Sequence, residues 1–139
     1  DLMGGISGHA GLFSNARDLA VMMQLLLNGG YANGTQFISE TTIDYFTSAP
    51  FADNENRRGI GFDKPDLDPD AKYHTPSKQS SMASFGHSGF TGTFAWADPE
   101  NDLIVIFLSN RVYPTSDNNK LSQLNLRTKI HDLFYEAVK

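Results

Sequence analysis

Apolar residues recur at helical spacing in the first third of the chain. Residues three and four positions apart share one face of a helix, so this pattern predicts an amphipathic helix. Asn15 suits the N-cap position, and Asp18 stands three positions on, as in a capping box. The pair Gly29 and Gly30 ends the helix. The predicted buried residues of this helix are Leu19, Met22, Met23, Leu26 and Leu27.

A second, shorter helix follows a turn. The Asn-Gly pair at residues 33–34 is typical of a tight hairpin. Ser39 is placed to cap the helix, and Pro50 ends it. We expect this helix to bury Ile43 and Phe46.

Three apolar segments in the second half predict strands at residues 82–88, 93–98 and 103–110. Residues 98–101 read Asp-Pro-Glu-Asn, with proline at the second position, as a type I turn prefers. The third strand is almost continuously apolar, which indicates cover on both faces. Together the strands form an antiparallel meander.

A last helix is predicted over residues 120–139. The order helix, helix, meander, helix predicts an α+β fold, sandwich-like, with a three-stranded antiparallel sheet packed by N- and C-terminal helices. We expect residues 1–139 to form a single domain. The predicted buried face of the last helix consists of Leu126, Ile130, Leu133, Phe134, Ala137 and Val138.

The middle of the chain is polar. A short strand is expected at residues 59–62, and residues 64–81, with three prolines and three aspartates, predict a long polar loop. Such loops are often functional or mobile, and a solvated insertion is an equally good interpretation. The aspartates lack the glycine and terminal glutamate of a calcium-binding EF-hand.

Composition limits the function. The chain has 139 residues, 40% of them hydrophobic, and a net charge of −5, which does not favour a nucleic-acid partner. It has no cysteine, and no apolar run approaches the ~20 residues that span a bilayer. The chain begins in a glycine-rich loop without methionine, from which we expect it to be a piece of a longer protein.

Residues 85–93, which read Phe-Gly-His-Ser-Gly-Phe-Thr-Gly-Thr, combine a histidine and hydroxyl residues with three glycines. Glycine within a strand indicates that another group comes close to the backbone or that the strand bends. His87 and the hydroxyl of Ser88 stand in that setting. Their task cannot be read from composition alone.

The triplet His87-Ser88-Gly89 resembles the third signature box, Lys/His-x-Gly, of the serine β-lactamase and penicillin-binding-protein superfamily. Further segments resemble its class C-related branch in the same order. They are residues 8–14 (Gly-His-Ala-Gly-Leu-Phe-Ser), 16–19 (Ala-Arg-Asp-Leu), 26–30 (Leu-Leu-Asn-Gly-Gly), 39–41 (Ser-Glu-Thr), 98–100 (Asp-Pro-Glu) and 110–111 (Asn-Arg). The resemblance covers nearly the whole chain outside the polar loop and implies a partial β-lactamase/transpeptidase-like fold.

The resemblance also implies roles in acyl transfer. His87 would support the substrate carboxylate or the proton shuttle, Ser88 would exchange a hydrogen bond, and Gly89 would let substrate approach the backbone. The N–H of Phe90 would be one of two oxyanion donors. Thr91 and His9 would contact substrate, although a loop histidine bonded to local backbone remains an alternative for His9.

The family's nucleophile box, Ser-x-x-Lys, occurs nowhere in these 139 residues. The nearest string, residues 75–78 (Thr-Pro-Ser-Lys), begins with threonine and contains proline. Residues 31–33 (Tyr-Ala-Asn) and 116–118 (Ser-Asp-Asn) spell forms of the second box, in a turn and in the wrong order. We therefore expect the C-terminal portion of a serine hydrolase acting on β-lactam, ester or peptide substrates, inactive alone.

The expected partners are the missing N-terminal part of the domain, a small acyl or peptidoglycan-like substrate, and a second copy through a bare strand edge. We expect no nucleic acid, no cofactor and no metal, since the four histidines lack ligand spacing. His74 and His131 are expected at the surface. The resemblance implies an exported bacterial parent in the periplasm or cell envelope, such as a family 3 glycoside hydrolase fusion. A non-catalytic glycan- or peptide-binding module, or a degenerate structural domain, remains an alternative.

Overall fold

The computed structural model describes residues 4, 7–54, 56–68 and 75–139. The helices and the three-stranded sheet follow one another in the predicted order, which confirms the α+β class. The elements are α1 (Ala16–Leu27), β1 (Tyr31–Ala32), β2 (Thr35–Gln36), α2 (Glu40–Thr47), a 3₁₀ turn (Ala52–Asn54), β3 (Phe85–Ser88), β4 (Phe94–Asp98), β5 (Leu103–Phe107), α3 (Lys120–Gln123) and α4 (Leu126–Ala137). Within the described residues, no helix is long and apolar enough to cross a membrane.

The ends of α1 follow the sequence prediction. The N–H of Asp18 donates to Asn15 Oδ1 at 3.1 Å, which satisfies a free amide of the first turn. After the helix, Gly30 has φ +83°, and a Cβ there would lie 2.1 Å from the Ile38 carbonyl oxygen. Glycine is therefore required where the chain turns back.

The hairpin and the second helix are also confirmed, with one error. β1 and β2 pair antiparallel around the Asn33-Gly34 turn, and the N–H of Thr42 donates to Ser39 Oγ at 3.2 Å. Ile43 is buried as predicted, but Phe46 is 42% exposed. The prediction for Phe46 was wrong because α2 directs only part of its apolar face inward.

The larger sheet is an antiparallel meander in the order β3-β4-β5. Phe85, Ala97 and Ile104 stand side by side in its register and pack with Met23 of α1. Residues on the opposite face form a second apolar cluster with Phe94, Trp96 and Val105 at its centre. The sheet thus has a helix on each face, because side chains alternate along a strand.

The second face is covered by α4 through polar aromatic residues. The ring of His131 lies 5.0 Å from that of Phe94 and 5.1 Å from that of Tyr135, centroid to centroid. His131 is 1% exposed, so its expected surface position was wrong. A histidine whose ring contacts are aromatic can be buried when its nitrogen has a partner, which Ser77 N–H supplies.

The last helix differs from the prediction in two ways. Asn125, with φ +50°, breaks it into α3 and α4. The buried residues of α4 are Thr128, His131 and Tyr135, while the predicted apolar face is turned away from the sheet. Leu133, for example, is 62% exposed. Hydrophobicity alone misassigned the face, since aromatic stacking and hydrogen bonds hold the other face on the sheet.

The described ends of the predicted polar loop are packed rather than solvated. Lys64 and Ser77 are buried, and Lys64 Nζ donates to the Ala83 carbonyl oxygen at 3.0 Å. Residues 59–62 do not form a strand; instead, Asp63 makes a single antiparallel bridge to Gly86. Residues 69–74, including Asp70 and His74, lie outside the described residues.

β3 and β5 are the two edges of the larger sheet in the described part of the chain. The Asp63 bridge covers the β3 edge at Gly86, with hydrogen bonds of 2.7 and 3.1 Å between the two backbones. β5 has no strand beyond it among these residues. It is therefore the edge at which a further strand would pair.

Candidate functional site

The site predicted from sequence lies where β3 ends and turns into β4. Gly89 N–H donates to the Thr93 carbonyl at 2.8 Å, and Gly92 N–H donates to the Gly89 carbonyl at 3.0 Å. A Cβ on Gly89 would lie 2.3 Å from Thr93 Oγ1. A side chain at position 89 would therefore force the Thr93 side chain to move.

His87 is exposed near the end of β3, and both of its ring nitrogens have partners. Nδ1 lies 2.8 Å from the Ser88 carbonyl oxygen, and Nε2 lies 2.9 Å from Arg58 Nη2. A carbonyl oxygen only accepts, so Nδ1 carries the hydrogen. Nε2 then accepts from the guanidinium, which assigns one neutral tautomer to the ring.

The surroundings of His87 carry a net positive charge. Asp63 Oδ1 accepts from Arg58 Nη1 at 2.7 Å and lies 3.8 Å from Arg57 Nη2. Two guanidinium groups and one carboxylate leave one positive charge beside the imidazole. The strand end at His87 is therefore positively charged even though the imidazole is neutral.

Phe90 follows Gly89 in the turn, and its backbone N–H and C=O differ in their contacts. Among the described residues, no hydrogen bond is made by this N–H. Its carbonyl accepts from Arg111 Nε at 2.7 Å, and the Arg111 guanidinium carbon lies 4.5 Å from the ring centroid. The ring is 73% exposed. An oxyanion donor needs an N–H that is available for a hydrogen bond and belongs to a peptide whose orientation is fixed.

A second arginine reaches the same turn from α4. Arg127 Nη1 donates to the Gly89 carbonyl oxygen at 3.3 Å. Burial and the nearby Arg111 charge lower the pKa of Arg127. In the described part of the chain, no carboxylate lies within 4.0 Å of either guanidinium group. The turn therefore lies next to the positive charges of Arg111 and Arg127, which form no ion pair with a described carboxylate.

The remaining predicted site residues, Ser88, Thr91 and His9, make fewer contacts that fix their side chains. Ser88 ends β3 opposite Phe94, and its hydroxyl makes no hydrogen bond with a described residue. The Thr91 carbonyl accepts from Arg111 N–H at 2.9 Å. His9 is exposed, and its backbone N–H donates to Ser7 Oγ at 3.2 Å. Within the described residues, no hydrogen bond or ring contact joins His9 to the turn, so its substrate role stays a prediction.

Three site residues were not singled out from the sequence: Arg58, Arg111 and Arg127. Arg58 is 29 positions from His87, and Arg127 is 38 positions from Gly89. Arginines at such separations give no local signal. Only the Asn-Arg pair at residues 110–111, which matched the family pattern, pointed toward one of them.

The Thr-Pro-Ser-Lys string at residues 75–78 is part of the packed interior at Pro76 and Ser77. Ser77 is 3% exposed, and its hydroxyl donates to Asp132 Oδ1 at 2.5 Å rather than to an imidazole nitrogen. Its N–H donates to His131 Nδ1 at 3.2 Å. Burial lowers the pKa of His131 to about 4. These residues join the 75–82 segment to α4.

A buried carboxylate performs a similar structural task at the β4–β5 turn. Asp98 accepts from Ser81 N–H at 2.8 Å and from the Tyr135 hydroxyl at 2.5 Å. Burial acts to raise the pKa of Asp98, but hydrogen bonds from Ser81, Tyr135 and Asn101 outweigh burial and lower it. Burial lowers the pKa of nearby Lys64 to about 8. Neither charge faces the His87 strand end.

Comparison with known proteins identifies the family of the chain. The β-lactamase family profile matches residues 1–128, so the chain belongs to the β-lactamase family. The chain is 39% identical over 121 residues to a protein of Escherichia coli O157:H7 named "Putative D-alanyl-D-alanine carboxypeptidase". It is 38% identical over 121 residues to the protein of that name from Escherichia coli K12, and 35% identical over 122 residues to that from Salmonella paratyphi B.

These alignments cover 85% of the chain, or 86% for the Salmonella protein. They cover only 26–27% of the relatives. The chain therefore spans about a quarter of the length of the curated proteins it matches. The chain itself has a partial β-lactamase-like fold.

Proposed function

We propose that this chain forms the His-x-Gly wall of a serine acyl-transfer enzyme that cleaves peptides ending in D-alanyl-D-alanine. The observation that carries the proposal is the Phe90 N–H on the turn after His87, which makes no hydrogen bond among the described residues. Two arginines, which no described carboxylate pairs with, hold the same turn. The names of the relatives supply the substrate class. Esters and β-lactams present the same reacting carbonyl.

The step requires a serine that these 139 residues do not offer in a Ser-x-x-Lys box. That serine, from a segment outside this chain, would lose its proton to a base, and its oxygen would bond to the substrate carbonyl carbon. The carbonyl electron pair would move to oxygen, stabilised by the Phe90 N–H and the serine's own N–H. Collapse would expel the terminal amine with a proton, and water would hydrolyse the ester.

The terminal carboxylate of the substrate would bind at the positively charged end of β3. Arg57, Arg58 and Asp63 together leave one positive charge, and His87 accepts from Arg58. An incoming carboxylate can accept from a guanidinium with paired geometry. His87 would then orient Arg58, and Ser88 and Thr91 would offer hydroxyl groups to the substrate.

Alone, the chain is inactive under this proposal. The apolar face of α4, with Ile130, Leu133 and Phe134, and the β5 edge are the surfaces on which the nucleophile-bearing segment would pack. The parent would work on peptidoglycan-like substrate outside the bacterial cytoplasm, in the periplasm or cell envelope. A non-catalytic peptide- or glycan-binding module is the competing function. It is supported by the absence of a Ser-x-x-Lys box from these 139 residues.

Labelling with a fluorescent penicillin and a fluorophosphonate, read by intact mass, tests the proposal. The folded 139-residue chain should take up neither reagent. A longer protein that joins it to a Ser-x-x-Lys segment should form a stoichiometric adduct on that serine. An adduct on the short chain, or none on the long protein, would contradict the proposal, and the second result would favour the binding module.

A further inference from the structure

Two arginines hold the 89–92 turn by consecutive carbonyl oxygens. Arg127 Nη1 donates to Gly89 O at 3.3 Å, and Arg111 Nε donates to Phe90 O at 2.7 Å. Arg127 belongs to the first turn of α4, while Arg111 follows β5. The turn is therefore fixed by groups that approach from two separate elements.

Arg111 is itself held by a further loop. Its Nη1 donates to the carbonyl oxygens of Ser116 at 3.2 Å and Asn118 at 3.1 Å, and to Asn119 Oδ1 at 3.2 Å. Arg127 differs: within the described residues, its side chain makes one hydrogen bond, and Gly89 O accepts it. Arg127 is thus dedicated to a single peptide group.

The N–H of that same peptide makes no hydrogen bond in the described part of the chain. The Gly89 carbonyl and the Phe90 N–H belong to one planar trans peptide, so they point in opposite directions. Gly89 O accepts from Gly92 N–H at 3.0 Å within the turn, and Arg127 adds a second, charged donor to the same oxygen. Donors on the oxygen restrict the direction of the N–H. Hydrogen bonds also polarise one another, so a charged donor on Gly89 O strengthens Phe90 N–H as a donor.

We propose that Arg127 is a positioning residue for the oxyanion site: its guanidinium on Gly89 O aims and polarises the Phe90 N–H. This inference rests on the proposed acyl-transfer function. Arg111 fixes the following peptide through Phe90 O, which prevents the turn from rotating about Phe90. The absence of a neighbouring carboxylate, within the described ranges, leaves the arginine charge available to the developing oxyanion.

The first test measures the peptide itself in the 139-residue chain by NMR. Arg127→Met should shift the Gly89 carbonyl ¹³C and the Phe90 amide ¹⁵N, because both report on the hydrogen bond to Gly89 O. Lys129→Met, an exposed change of the same charge two residues on, is the matched control and should leave both signals in place. Arg127→Lys should restore part of the shift, which a merely structural effect would not do.

The second test measures acylation in the longer protein that carries the nucleophile. Arg127→Met should lower the acylation rate constant by about 10- to 100-fold, less than or comparable to deletion of an oxyanion donor, with little change in KM. Arg127→Lys should lie between, and Lys129→Met should match the wild type. Acylation at the wild-type rate in Arg127→Met would overturn the proposal.

The two tests separate this inference from the proposed function. A wild-type long protein that fails to acylate contradicts the enzyme function, while the NMR shifts still decide whether Arg127 orients the peptide. Unchanged Gly89 and Phe90 signals in a folded Arg127→Met chain would overturn the positioning role. So would shifts spread equally over the whole sheet, since they would report a general loss of packing.

Discussion

At the scale of single residues, the end of β3 combines a neutral histidine, His87, with the positive charge of a neighbouring arginine, Arg58. His87 donates from Nδ1 to Ser88 O and accepts at Nε2 from Arg58. A lysine in this position would carry its own charge, whereas here the guanidinium supplies it from a loop. Replacing Arg58 would therefore remove both the positive charge and the donor to His87 Nε2.

Buried His131 makes stability fall with acid. Its pKa is about 4 in the folded chain and about 6.5 when unfolded, so the unfolded state binds more protons between these values. The contribution is complete above pH 6.5 and is lost as pH falls toward 4, by on the order of 3 kcal/mol. Denaturant unfolding at a series of pH values measures this slope.

A variant that cannot titrate isolates the effect of His131. His131→Phe should lose the slope between pH 6.5 and 4, whatever its own stability. The lowered pKa of Asp98 acts in a separate window, since its contribution is lost only below its ordinary value of 3.8. A full slope in His131→Phe would assign the acid sensitivity to another group.

At the scale of elements, α4 has two faces with different tasks. Thr128, His131 and Tyr135 hold it on the sheet, while Ile130, Leu133 and Phe134 line an open groove of about 280 Å³ on its outer side. An outer apolar face contributes little to the fold of this chain. It is suited to packing against another segment.

Leu133→Lys should accordingly change the free energy of unfolding of the 139-residue chain by no more than about 0.5 kcal/mol. In the longer protein the same change should destabilise by about 2 kcal/mol or more, because it would place a charge in a covered apolar site. Thermal or denaturant unfolding of both forms measures the difference. Equal effects in the two proteins would mean that nothing covers this face.

At the scale of the whole molecule, the described chain is a two-sided sandwich with an unpaired edge. α1 packs on one face of the sheet and α4 on the other, and β5 has no further strand among the described residues. The chain matches about a quarter of the length of its relatives. An open edge on a well-covered sheet is a site for pairing with more of the same polypeptide or with a second copy.

We expect the isolated chain to self-associate through β5 as its concentration is raised. Leu108→Lys, at the exposed end of that edge, should reduce association because a charged edge residue disfavours edge-to-edge pairing. Sedimentation velocity of both proteins is the measurement, with Leu133→Lys as the comparison. A clean monomer, or association abolished by Leu133→Lys alone, would contradict edge pairing.

Local sequence determined much of the fold. Asn15 and Ser39 cap the predicted helices, the Asn33-Gly34 turn joins β1 to β2, and the three strands lie within their predicted segments. These features depend on interactions among residues close in the chain, which a sequence pattern records directly. The His87-Ser88-Gly89 box was identified instead by its resemblance to a family motif.

Tertiary structure decided the rest. It buried His131 and left Leu133 outside, because aromatic and hydrogen-bonding partners on the sheet outweigh the simple hydrophobicity of the helix face. It brought Arg58 to His87 and Arg127 to Gly89 from 29 and 38 positions away. Charge and hydrogen bonding act through space, so the sequence alone names the candidate residues while the fold determines which of them meet.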